Sequence, residues 1–139
     1  MYILDTNVVS ELRKARTGRA DMKVTKWAAG IPLAAQFLSA ITILELETGA
    51  FLAQRRDAAQ GAMLRAWINE QVIPAFAGRV LAIDTAVARR CAMLHVPDKR
   101  GQRDALIAAT ALVHSMVVVT RNVADFEPMG VQFLNPWDQ

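Results

Sequence analysis

Residues that form disulfides or soft metal sites are scarce in this sequence of 139 residues. Its one cysteine, Cys91, excludes an internal disulfide, and its two histidines, His95 and His114, are isolated in sequence. Zinc, which favours thiolate and imidazole ligands, is therefore disfavoured. Val87, Cys91 and Leu94 share one helical face, so we expect Cys91 to be a buried structural thiol rather than a catalytic one.

Long apolar runs are also missing, and none approaches the roughly 18 residues that a membrane-spanning helix needs. Asp5 interrupts the apolar stretch that a signal peptide would require, so we expect a cytoplasmic protein. No Gly-x-Gly-x-x-Gly follows a predicted strand, which argues against a dinucleotide-binding domain. The sequence has no internal repeat, and its 53% hydrophobic residues favour one globular domain over residues 1–139.

The charge balance is slightly basic, with 16 Lys and Arg against 13 Asp and Glu, a net charge of +3. This balance is compatible with a polyanionic partner, but it is also ordinary for a soluble protein. The basic residues cluster in two segments, which contain Arg13, Lys14, Arg16, Arg19, Lys23 and Lys26, and then Lys99, Arg100 and Arg103. A solvated surface explains either cluster equally well.

Short apolar segments alternate with helical patterns along the chain. Strands are predicted at residues 2–4, 36–41, 80–83, 116–119 and 131–134. Six helices are predicted. The first begins at Val8, the second spans 27–33 with Pro32 at its end, and the third has Thr42 as its N-cap. The others span 63–72 with Pro74 beyond the end, 85–95 with Asp84 as N-cap, and 104–114. This order predicts an α/β/α sandwich with a short, mostly parallel sheet flanked by helices.

Four acidic residues fall where such a sheet would bring its strand ends together. Asp5 follows the first strand, Glu45 lies one turn into the helix after the second, and Asp125 lies in the loop after the 116–119 strand. Asp104 opens a buried helix and would reach the same rim. Because ligands bind beyond the carboxyl ends of parallel strands, we expect the four carboxylates to form one cluster.

Carboxylates this close would repel one another unless a cation neutralised them. Mg²⁺ and Mn²⁺ prefer oxygen ligands and retain waters, so they fit a site made of Asp, Glu and phosphate oxygens. Such a site hydrolyses a phosphodiester by holding the phosphate and lowering the pKa of a metal-bound water. Polar side chains beside the acids are expected to orient them; these are Thr6, Asn7, Thr120 and Asn122.

Each acid also has a purely structural explanation. Asp5 and Asp125 could be turn formers, and Asp104 could complement a helix macrodipole. Thr42 and Glu45 have the spacing of a capping box, in which Glu45 folds back on the amide of Thr42. Taken singly, these explanations are the simpler ones, but coincidence would then have to place all four acids at one edge of the sheet.

Four sequence blocks follow one another in order along nearly the whole chain. They are YILDTNVVSEL (2–12), SAITILEL (39–46), DALIAATA (104–111) and VVTRNVADF (118–126), the last followed by NPW (135–137). Together they resemble the blocks of the PIN-domain nucleases, especially the VapC-type toxins of bacterial toxin–antitoxin pairs in their FitB-like branch. No acid of that pattern is missing.

The resemblance implies a PIN-like α/β/α sandwich that cleaves single-stranded or looped RNA with Mg²⁺ or Mn²⁺. The implied metal-binding and catalytic acids are Asp5, Glu45, Asp104 and Asp125, supported by Thr6, Asn7, Thr120 and Asn122. It also implies a homodimer and a cognate VapB-type antitoxin, which would occlude the active site and bind promoter DNA. These partners follow from likeness alone, since nothing in composition or spacing indicates them.

A haloacid-dehalogenase-like phosphatase is the main alternative enzyme, because that family also begins with an apolar strand leading into an aspartate. It needs a second acid two residues later, and this chain has Asn7 at that position. A catalytically silent PIN domain that only binds its partners is the non-enzymatic alternative.

Overall fold

A five-stranded sheet with helices on both faces forms the frame of the protein in the computed structural model, which describes residues 1–139. All four strand pairings are parallel, in the order β3-β2-β1-β4-β5. The strands are β1 (Tyr2–Leu4), β2 (Gln36–Ser39), β3 (Val80–Leu81), β4 (Val117–Val119) and β5 (Phe133–Leu134). The predicted α/β/α sandwich is confirmed, with a sheet that is wholly rather than mostly parallel.

Eight α-helices connect and cover these strands. They are α1 (Thr6–Arg13), α2 (Met22–Ala29), α3 (Ala40–Arg56), α4 (Ala58–Trp67), α5 (Ile73–Ala75), α6 (Thr85–Leu94), α7 (Gln102–His114) and α8 (Val123–Phe126). A π-helical segment, Ile68–Val72, links α4 to α5. None of the helices combines the length and the apolar character needed to cross a membrane.

Alternate residues of the central strands enter two separate hydrophobic cores. Ile3 and Val118 pack with α6, α7 and α8 on one face, where Phe126 is fully buried. Leu4 and Val119 pack on the other face with residues of α1, α2, α3 and the π-helical segment. Because successive side chains of a strand point to opposite faces, helices on both sides require apolar residues at every position of β1 and β4.

The second helix lies earlier in the chain than predicted. It spans Met22–Ala29 rather than 27–33, because Asp21 accepts hydrogen bonds from the backbone N–H groups of Lys23 and Val24 and so caps the helix. The helix ends at Gly30, and Pro32 precedes a short 3₁₀ segment instead of ending the helix.

Other element ends also differ from the prediction. Ser39, not Thr42, is the N-cap of α3, since its hydroxyl accepts a hydrogen bond from the N–H of Ile41 at 3.0 Å. Pro74 lies within α5, directly after the π-helical segment Ile68–Val72, so the helical path continues past it instead of ending before it. Asp125 belongs to the short helix α8 rather than to a loop.

The strand order changes direction between β1 and β4. From β1 the chain proceeds outward through β2 and β3, and it later returns to the other side of β1 to add β4 and β5. The carboxyl ends of β1 and β4 therefore border the crevice in which parallel α/β sheets bind their ligands. Asp5 follows β1 and Thr120 follows β4, so both lie at this crevice.

Candidate active site

Asp5 lies at the base of the crevice and is only 5% exposed. Its Oδ1 accepts a hydrogen bond from the N–H of Thr6 at 2.8 Å, as expected for the N-cap of α1. Its Oδ2 accepts hydrogen bonds from the Thr120 hydroxyl at 2.8 Å and from the Asn7 side-chain amide at 3.3 Å. These donors come from the start of α1 and from the end of β4, and together they fix the carboxylate in one orientation.

Glu45 points from α3 toward the same crevice. Its Oε1 accepts a hydrogen bond from the Thr6 hydroxyl at 2.7 Å, and its Oε2 lies 3.7 Å from Nη1 of Arg103. The hydroxyl oxygens of Thr6 and Thr42 are 3.3 Å apart. Glu45 therefore contacts a neighbouring helix rather than the amide of Thr42, and the capping-box explanation is wrong.

Asp104 lies in the first turn of α7 and is partly buried. It lines a cavity of about 460 Å³ together with Asp5 and Glu45. Thr6, Asn7 and Asn122 line the same cavity, while Thr120 lies buried beneath it and accepts a hydrogen bond from the N–H of Asn122 at 3.0 Å. The structure thus brings three of the four predicted acids and all four predicted supporting residues to one place.

Asp125 is the fourth predicted acid and is not part of the cavity wall. It is exposed on α8, yet its charge raises the pKa of both Asp5 and Asp104. Asp125 therefore contributes to the negative potential of the cluster from its edge.

The pKa values of the two innermost acids are raised. For Asp5 the main cause is burial, which the hydrogen bonds from Thr120 and Thr6 offset in part and which the charges of Glu45 and Asp125 reinforce. Burial, followed by repulsion from Asp5, Asp125 and Glu45, raises the pKa of Asp104 to about 6. A carboxylate cluster with raised pKa values is one that a cation would stabilise.

The donor set fits a hard divalent ion. The cavity is lined by carboxylates, which are oxygen ligands, and no histidine or cysteine lines it. In this structure no group of three or more His, Cys, Asp or Glu side chains is placed so that it could hold one metal ion. Mg²⁺ prefers oxygen ligands and usually binds through only one or two carboxylates, with water and phosphate oxygens in its remaining positions.

Five further residues line the cavity that the sequence patterns did not indicate as site residues: Ser10, Glu11, Lys14, Arg121 and Trp137. The first three follow Asn7 at the spacing i+3, i+4 and i+7, so the polar stripe of an amphipathic α1 could have revealed them. Arg121 lies between two predicted supporting residues. Trp137 was marked only as part of the NPW block, which gave it no role, because its place in the site depends on where the 3₁₀ turn Pro136–Asp138 packs.

Comparison with known proteins identifies the family. A model of the PIN domain matches residues 2–127. This chain belongs to the PIN-domain family. The PIN domain is similar to the VapC ribonuclease Y4jK of Sinorhizobium fredii, with 38% identity, and to Toxin FitB of Neisseria gonorrhoeae, with 34% identity, each match covering 99% of both chains. The phosphatase alternative has no support from these matches.

Solved structures give the same result for the fold. The PIN domain matches the crystal structure of FitAcB from Neisseria gonorrhoeae with a TM-score of 0.90 and 33% identity, over 100% of both chains. It also matches a structure of FitAB bound to an IR36 DNA fragment with a TM-score of 0.88, over 99% of this chain and 96% of that one.

The raised pKa of Asp104 predicts how the stability of this PIN domain depends on pH when no divalent ion is present. Its pKa of about 6 lies above the ordinary value of 3.8, so the folded protein binds the proton more tightly than the unfolded chain. This contribution to stability is complete below about pH 4 and is lost as the pH rises through about 6. Thermal melts in EDTA at pH 5 and pH 7 measure this loss of stability, and Asp104→Asn should reduce the difference between the two melting temperatures. An unchanged difference in that variant would contradict the assignment.

Proposed function

We propose that the protein is an endoribonuclease that depends on Mg²⁺ or Mn²⁺ and hydrolyses RNA phosphodiesters at the carboxylate cluster. One observation carries this proposal: Asp5, Glu45 and Asp104, from three distant segments of a PIN domain, line a single cavity. Asp125 is the fourth proposed acid, because its charge acts on two of the others. The names of the relatives, a VapC ribonuclease and a toxin, agree with this chemistry.

A divalent ion at the cluster would polarise the phosphoryl group and make water a better nucleophile near neutral pH. Asp5 would be its main protein ligand, since Thr120, Asn7 and the Thr6 amide already hold both of its oxygens in place. Glu45 and Asp104 face the same cavity and would hold the ion or orient the attacking water. Thr6 keeps Glu45 extended toward the cavity through the 2.7 Å hydrogen bond.

We further propose that this ribonuclease is the toxin of a toxin–antitoxin pair. The proteins similar to it include Toxin FitB and chains in the FitAB complex, one structure of which contains DNA. A cognate VapB-type antitoxin would bind this chain and neutralise it, and promoter DNA would be bound through the antitoxin. A homodimer is part of the same proposal.

Cleavage is expected to depend strictly on a divalent ion. Purified protein should degrade single-stranded RNA in Mg²⁺ or Mn²⁺ and lose this activity in EDTA, because the clustered carboxylates cannot bind a phosphate without a neutralising cation. Gel analysis of the RNA fragments measures cleavage with and without EDTA, and added Mg²⁺ should restore cleavage. Cleavage that persists in EDTA would disprove the metal mechanism, whereas RNA binding without any cleavage would favour the catalytically silent alternative.

The toxin proposal makes a separate prediction in cells. Induced expression of the wild-type chain should arrest growth, and co-expression of a small antitoxin encoded beside it should restore growth. Growth curves of the induced cultures measure both effects, with Asp5→Asn as the matched control that should be harmless. Equal arrest by both chains would show that toxicity does not come from the carboxylate cluster.

A further inference from the structure

Two arginine–tryptophan pairs flank the carboxylate cluster. The guanidinium carbon of Arg121 lies 5.2 Å from the ring centroid of Trp137, and that of Arg13 lies 5.8 Å from the ring centroid of Trp67. Both distances lie within the range of a cation–π interaction, which is about 6 Å. The two pairs come from unrelated parts of the chain, so their similar construction around one site calls for an explanation.

The pairs belong to the walls of two adjoining cavities. Arg121 and Trp137 line the 460 Å³ cavity that contains the acids, whereas Arg13 and Trp67 line a second cavity of about 250 Å³. Thr6, Ser10 and Glu45 line both cavities, so the two spaces meet at the cluster. We call the two adjoining cavities the groove, which has one arginine–tryptophan pair in the wall of each cavity and Glu45 where the cavities meet.

Neither arginine is neutralised by a carboxylate. The ion pairs of the structure are Lys14 with Glu11 at 3.1 Å and Arg103 with Glu45 at 3.7 Å, and neither includes Arg13 or Arg121. An arginine beside an acidic cluster would ordinarily turn its guanidinium to a carboxylate, because charge-assisted hydrogen bonds are the stronger ones. Each guanidinium group lies beside a tryptophan ring, and neither donates a side-chain hydrogen bond within the protein, so their N–H donors are available.

We propose that the two arginine–tryptophan pairs are the substrate-positioning sites of this enzyme, holding backbone phosphates of a single-stranded RNA on the two sides of the bond to be cut. The proposal rests on the ribonuclease function proposed above. The carboxylates repel every phosphate except one screened by a cation, so the flanking phosphates need positive partners of their own. A guanidinium offers a fork of donors that matches a phosphate, and its plane also stacks on an unpaired base.

Single-stranded RNA fits this groove better than a duplex does. In an RNA duplex the bases are paired and stacked, whereas single strands expose bases that can lie against aromatic rings and guanidinium planes. Arg13 and Arg121 act through substrate position and not through the reacting atoms, so their removal should raise KM and leave kcat nearly unchanged.

Kinetics with a random-sequence pool of single-stranded RNA, labelled with a fluorophore and a quencher, test the proposal. Arg121→Ala and Arg13→Ala should each raise KM about tenfold, since each loses a charge-assisted contact to a phosphate. A plot of log(kcat/KM) against log[salt] has a negative slope, and each substitution should also make this slope shallower by about 0.7. That is the value for one phosphate contact on a single strand. Arg→Lys at either position should keep that salt dependence, because it retains the charge.

Arg90→Ala is the matched control. Arg90 is exposed on α6 and lines neither cavity, so its removal should change neither KM nor the salt dependence. If wild-type protein cleaves the pool and Arg13→Ala or Arg121→Ala behaves like Arg90→Ala, the positioning role is disproved while the ribonuclease stands. An Arg13→Ala protein that cleaves normally but no longer binds a co-expressed antitoxin would show that the second cavity serves a protein partner. Wild-type protein that does not cleave RNA would remove both proposals.

Discussion

Replacing Asp5 by Asn is expected to lower the rate of RNA cleavage by roughly a thousandfold or more, the effect of losing several kcal/mol of electrostatic stabilisation in the transition state. The asparagine keeps the shape of the side chain but removes the negative charge that would hold the divalent ion. Single-turnover cleavage of labelled RNA at saturating Mg²⁺ measures the effect.

Asp5→Asn should leave the protein folded, with a stability close to that of the wild type. Burial raises the pKa of Asp5, so a neutral side chain relieves the cost of a buried charge, while the loss of one acceptor oxygen toward Thr6, Asn7 or Thr120 opposes this gain. Thermal melts in EDTA check this expectation. Asp98→Asn, which alters an exposed loop acid that does not line the cavity, is the control and should cleave RNA normally. Cleavage at the wild-type rate by Asp5→Asn would remove Asp5 from the active site.

Replacing Gly61 by Ala is expected to lower the free energy of unfolding by about 3 kcal/mol, near the upper end of the usual cost of overpacking. Gly61 is buried in α4, where this helix packs against α3. A Cβ at this position would lie 2.5 Å from Cα and 2.8 Å from the backbone N of Gln54, so the backbones of the two helices would have to separate. Urea denaturation measures the loss, and the melting temperature should fall by about 10 °C.

Gly49→Ala is the matched control for this prediction, because Gly49 is exposed on α3 and a Cβ added there would have nothing within 4 Å. This substitution should instead stabilise the protein by about 0.5 to 1 kcal/mol, since alanine loses less backbone entropy than glycine in a helix. Because α3 carries Glu45, a displaced α3 in Gly61→Ala should also weaken cleavage. If both variants had the same stability as the wild type, the close approach of α3 and α4 would be wrong.

The sequence was most informative where one physical requirement dominated. The apolar runs before Asp5 and Thr120 predicted buried parallel strands, and parallel strands align their carboxyl ends. Asp5 and Thr120 were therefore expected at one rim, and the structure places their side chains 2.8 Å apart. The blocks that resembled PIN domains gave the same frame, and the family match over residues 2–127 confirms it.

Local signals that competed with one another were harder to interpret. Ser39 and Thr42 are both good N-caps, and the choice of Ser39 depends on where β2 stops pairing with β3, which is a tertiary property. Trp137 was not predicted as a site residue for a similar reason. Its place on the cavity wall depends on the packing of the 3₁₀ turn Pro136–Asp138, and no periodic pattern in the sequence indicates that packing.

The hydrogen bond between Asp5 and Thr120 joins residues 115 positions apart, and β1 pairs with β4 only after residues 117–119 have been made. During translation, the first half of the site therefore leaves the ribosome long before its second half. A nascent chain that has exposed Asp5 and Glu45 still lacks α7 and β4, so its carboxylate cluster is incomplete. The late return of the chain to its first strand thus delays the assembly of the cluster until residues 102–120 have also been made.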